Sequence, residues 1–141
     1  MPLIGRVTRA FAKVVDAPLR QLGFAFSQLP VLVTLKGAEV LSQVELARLA
    51  RVEQSSMAQL LGRMERDGLI KRVPDAADGR SRLISLTAKA SKRMPAGRMV
   101  MDGACAMALA GFSADERAQL LGLLARIEVN LERALAEAGD R

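Results

Sequence analysis

The chain has 141 residues, half of them hydrophobic, a formal charge of +6 and a pI of about 10.4. That length and apolar content suit one domain with a real core. With no His and a single Cys, Cys105, the sequence excludes Cys/His zinc clusters, Cys–His nucleophiles, Ser–His–Asp triads and any internal disulfide. With neither Trp nor Tyr, it also lacks the stacking platforms of a single-strand binder.

The charge is unevenly placed. Residues 47–98 hold 12 basic and 5 acidic side chains, a local excess of seven, whereas residues 99–141 hold 4 and 7. A basic middle third points to a polyanionic partner, with a solvated face as the plainer explanation. Arg6, Arg9 and Lys13 interrupt the start, so no signal peptide is expected. No uncharged apolar stretch approaches the roughly 20 residues needed to span a bilayer. A cytoplasmic protein with no membrane contact is the expectation.

In chain order, residues 3–22 read as an amphipathic helix with Ile4, Val7, Phe11, Val14 and Val15 at helical spacing. Pro18 should kink or restart it, and Gly23 should end it. Ser27 to Lys36 is a short apolar helix with Pro30 in its first turn and Gly37 as its stop. Ser42-Gln43-Val44-Glu45 is a capping box that opens a helix to Ala50, with Leu46, Ala47 and Leu49 inward. A tight turn, Arg51-Val52-Glu53, leads to a longer helix from Gln54 to Asp67. Its apolar stripe is Met57, Leu60, Leu61 and Met64, and Gly68 suits a left-handed ending.

The period then changes. Leu69–Val73 and the alternating Arg82–Leu86 read as two strands joined by a long turn-rich tip. Thr87 can cap a helix to about Ala110, which Pro95 and Gly97 should bend or break. Ser113-Ala114-Asp115-Glu116 is a second capping box. It opens a last helix to about Ala138 with a wide stripe of Leu120, Leu121, Leu123, Leu124, Ile127, Leu131 and Leu135.

A short helix, a tight turn, a longer helix and a basic-tipped hairpin make a winged helix-turn-helix in a mainly α fold with a small β-hairpin wing. The longer helix would present its polar face to the major groove of duplex DNA. Ser55, Ser56 and Gln59 stand where base edges would be read, because Gln can bond adenine in a bidentate pair and Ser is small and adaptable. Ser42, Gln54, Arg63 and Arg66 are placed for phosphates. Asp78, Arg80 and Arg82 belong to the wing, whose flexible Arg suits a narrow minor groove, with Asp78 directing it.

In Gln43–Ala47, in Arg63–Arg72, and in Asp78-Gly79-Arg80 followed by Ile84-Ser85-Leu86-Thr87, the sequence resembles the MarR family of multiple antibiotic resistance regulators. The resemblance implies a homodimer whose helices at 1–26 and 88–141 interlock, around winged modules at 27–87 that read a pseudo-palindromic operator. It implies wing roles for Asp78 and Arg80, and a repressor released by a small lipophilic or aromatic effector. Gly79 departs from the pattern where a second Arg is common, and Ala90 where Gly often follows Leu-Thr. The thiol-sensing branch is not matched, since the first helix has no Cys and the chain no Tyr.

Phe11, Phe24 and Phe26 are the candidate walls of an effector pocket, although plain core packing explains each of them as well. Cys105, in an apolar stretch without nearby cations, is expected to act as a small structural hydrophobe. No nucleophile–base pair or phosphate loop is visible, so neither enzyme activity nor a cofactor nor a metal is expected. The alternative to a sequence-specific regulator is a non-specific architectural DNA binder. The ratio of specific to non-specific affinity separates the two.

Overall fold

The computed structural model describes residues 2–78 and 82–139, and the chain divides into two units, 1–104 and 105–141. In the first unit α1 spans Pro2–Gln21, a 3-10 turn spans Phe26–Gln28, and α2 spans Leu29–Ala38. Next come β1 (Val40–Ser42), α3 (Gln43–Ala50), α4 (Gln54–Arg66), β2 (Ile70–Pro74) and β3 (Arg82–Leu86). Helix α5 (Ala88–Ala108) begins in this unit, and α6 (Ala114–Gly139) lies in the second. Among the described residues, no helix is long and apolar enough to cross a membrane.

Three helices of the first unit end alike. Phe24 N–H donates to the Leu19 carbonyl and Gly23 N–H to that of Arg20, both at 2.9 Å. The same pair of hydrogen bonds closes α4 at Gly68 and Leu69, and closes α3 at Arg51 and Val52. This Schellman ending needs a left-handed residue at its pivot. Gly23 (φ 78°) and Gly68 (φ 69°) supply it without strain, as the sequence leads one to expect; Arg51 (φ 55°) supplies it despite its Cβ.

The core joins one face of each element. Val15 and Leu19 of α1, Val31, Leu32 and Leu35 of α2, and Leu46 of α3 are fully buried. So are Met57, Leu61 and Met64 of α4, with Leu69 and Ile84 from the sheet region. Each such side chain contributes about 1.5–3 kcal/mol on burial. The whole predicted α4 stripe is inside. That of α1 is not, since Ile4, Val7 and Val14 are exposed and the buried pair falls nearer the C-terminus. Leu49, expected inward, is 44% exposed.

Other expectations need correction. Pro18 and Pro95 break neither α1 nor α5. Both prolines lie on exposed faces of their helices. Gly37 does not stop α2, which ends at Glu39 (φ 65°) with its N–H on the Leu35 carbonyl at 2.9 Å. The hairpin has a third strand that the sequence reading lacked. Short β1 pairs antiparallel with β3, Leu41 opposite Ile84, giving the order β1-β3-β2. Three residues carry too little alternation to be read as a strand.

Thr87 does more than cap. Its Oγ1 accepts from Ala90 N–H at 3.1 Å and donates to the Gly68 carbonyl at 2.7 Å, which ties the end of α4 to the start of α5.

In the second unit the predicted capping box is formed. Ser113 N–H donates to Glu116 Oε2 at 2.7 Å, and Glu116 N–H donates to Ser113 Oγ at 3.2 Å. Arg117 donates to the carbonyls of Phe112 and Leu109, each at 3.2 Å, closing the turn at Gly111. Along α6, Leu121, Leu123, Leu124, Val129, Leu131 and Leu135 are exposed in the single chain. Cys105 is exposed as well, so in the single chain it does not fill a core as expected.

Candidate nucleic-acid interface

Helix α4 is amphipathic in the strict sense. At 3.6 residues per turn, Ser55, Gln59, Gly62 and Arg66 fall within a sector of about 60°. That sector lies opposite the buried stripe of Met57, Leu60, Leu61 and Met64. Ser55, Ser56, Gln59, Arg63 and Arg66 are all exposed. Ser56 and Arg63 flank the sector on one side, and Gln54, also exposed, lies toward the other. Among the described residues neither Arg63 nor Arg66 has an ion-pair partner, so both guanidinium groups are available to an anion.

The helix that precedes it is set by its cap. Ser42 N–H donates to Glu45 Oε2 at 3.0 Å, the Ser42 hydroxyl donates to the same oxygen at 2.7 Å, and Glu45 N–H donates to Ser42 Oγ at 3.3 Å. The Ser42 hydroxyl, expected at a phosphate, is thus engaged within the chain. These bonds hold the Glu45 carboxyl below its usual range, chiefly through the Ser42 hydroxyl and then the Ser42 amide. Glu116 is lowered in the same way by the Ser113 amide and hydroxyl.

The wing is tied to α4. Arg72 Nε on β2 donates to Glu65 Oε2 on α4 at 3.1 Å, so this strand cation is spoken for. Register places Arg82 opposite Pro74 at the strand end nearest the tip, where it is exposed. Asp78 is exposed and has an interaction within the chain. Arg80, the expected wing-tip contact, lies outside the described residues.

Sequence reading missed Gln28. It is 5% exposed, accepts from Ala25 N–H at 2.8 Å and donates to Asp67 Oδ2 at 3.2 Å. It thereby fastens the turn before α2 to the far end of α4. A lone Gln in an apolar run carries no periodic signal that would have exposed this role.

Within the first unit lies a cavity of about 720 Å³. Phe24, Phe26, Leu29, Val33, Met94 and Met101 are among its walls, and Lys36 and Arg98 are its charged lining residues. Phe11 is not a wall; its ring packs on that of Phe26, centroids 6.1 Å apart. Gly97 makes the Phe24 position feasible, since a Cβ there would stand 3.2 Å from the ring. Leu49 and Ala50, at the end of α3, also line the cavity, which brings it to the helix-turn-helix bend.

Residues 22–81 match the family model of the MarR family. The fold is similar to that of the transcriptional regulator SlyA, with 26% identity, 94% of each chain covered and a TM-score of 0.85. It is also similar to a mutant MarR from E. coli complexed with operator DNA, at 24% identity, 89% of this chain and 91% of that one, and a TM-score of 0.80. The PcaV transcriptional regulator from Streptomyces coelicolor, in complex with its natural ligand, matches at 25% identity, 89% of each chain and a TM-score of 0.79.

Proposed function

We propose that the chain is a regulator of the MarR family, whose model matches residues 22–81, and that it is a sequence-specific, duplex-DNA-binding repressor released by a small apolar effector. The observation that carries this reading is the α4 surface. A polar stripe of Ser55, Gln59 and Arg66 stands opposite a fully buried one, on the second helix of a helix-turn-helix. The surrounding residues 47–98 carry the positive charge of the chain. Gln59 reads base edges, Arg63 and Arg66 neutralise phosphates, and Arg82 of the wing serves the minor groove, a role the sequence also suggests for Arg80.

Binding by a homodimer, with subunits joined through 1–26 and 88–141, fits the exposed leucines of α6. The effector reading draws on the apolar cavity beside Leu49 and Ala50, and on PcaV, solved with its natural ligand. An occupant there presses on the bend that aims α4. Selection of bound sequences from a random duplex pool tests the proposal. The expected product is a pseudo-palindrome with half-sites about one helical turn apart. A pool that emerges unenriched favours the non-specific architectural binder instead.

A further inference from the structure

Gly62 sits in the middle of α4, where glycine is the least favourable residue after proline. Among the described residues, no packing contact accounts for it. Its φ is not positive, and a Cβ built on it would meet no atom within 4 Å. Elsewhere a helical glycine does have such a reason, as Gly97 does against Phe24. Gly37, Gly103 and Gly122 are equally open but lie off α4.

The position of Gly62 suggests what it serves. It stands in the sector opposite the core, one turn after Gln59 and one turn before Arg66, with Arg63 on its flank. Gly62 thus adds no side chain to a row whose other members, Ser55, Gln59 and Arg66, are polar and exposed, and this gap is a notch in the row. A helix in the major groove meets base edges along this line, and the apolar group that projects there is the thymine methyl.

We propose that Gly62 is the point of closest approach between α4 and duplex DNA, and that its notch receives a thymine methyl group. This rests on the reading of α4 as the DNA-facing helix. A Cβ at residue 62 fills the notch and holds the helix off the bases, so Gln59 loses reach as well.

The test compares wild type with Gly62→Ala on the selected duplex, and on copies in which each thymine in turn is replaced by deoxyuridine. Melting of both proteins is followed in parallel. Alanine raises helix propensity, so the melting temperature should rise or hold. The selected duplex should bind about tenfold more weakly to the variant, the scale of one mismatched base pair. Wild type should lose affinity on deoxyuridine substitution at one position per half-site, and the variant should not. Equal or tighter binding by Gly62→Ala overturns the close approach. Weaker binding with no thymine preference at any position overturns the methyl assignment. If wild type itself fails to distinguish the selected duplex from random DNA, the proposed function falls first, and this inference with it.

Discussion

The two capping glutamates show what single residues set. Glu45 and Glu116 each accept from a serine amide, and each is held below the ordinary carboxylate value of 4.5. A carboxylate with a depressed folded pKa adds stability that is fully present above its unfolded value. That stability is lost as pH falls through the lower folded value. The double variant Glu45→Gln, Glu116→Gln should therefore lose less stability than wild type between pH 6 and pH 3. Urea midpoints across that range check it, and parallel slopes would remove the caps from the acid response. Both boxes were legible in the sequence, because Ser-x-x-Glu before an apolar run is a local signal. Gln28 was not, because its partner Asp67 is 39 residues away.

Helix boundaries were legible to the extent that glycine marked them. Gly23, Gly68 and Gly111 all have positive φ where an ending was read. The endings at Arg51 and Glu39 use residues that carry no such mark, and Gly37 marked a boundary the chain passes through. The prolines misled too: α1 and α5 run on through Pro18 and Pro95, both exposed, although each removes a helix N–H. The leucines of α6 were read as a pairing face, and they stand exposed in the single chain. Leu131→Asp, at a position 60% exposed, should leave the winged module folded and shift the assembly toward half its mass. Sedimentation at micromolar concentration checks this. An unchanged mass would place the pairing elsewhere.

At the scale of the molecule, three features combine: a basic middle third, a helix whose Arg63 and Arg66 have no ion-pair partner among the described residues, and an apolar cavity reaching the bend before that helix. Element order was enough for the helix-turn-helix and the two hairpin strands, but not for β1, the third strand of the sheet. The cavity was legible only as two phenylalanines, because its other walls come from α2, α3 and α5, far apart in sequence. The central claim is that α4 reads sequence rather than charge. The most direct measurement is the affinity of wild type and Gln59→Ala for the selected duplex and for random duplex, at one fixed salt concentration. Wild type should prefer the selected duplex by about 10³-fold or more. Gln59→Ala should lose roughly 1–3 kcal/mol on that duplex and little on random DNA. Equal affinity of wild type for both duplexes, or an equal loss on both for the variant, would contradict the claim.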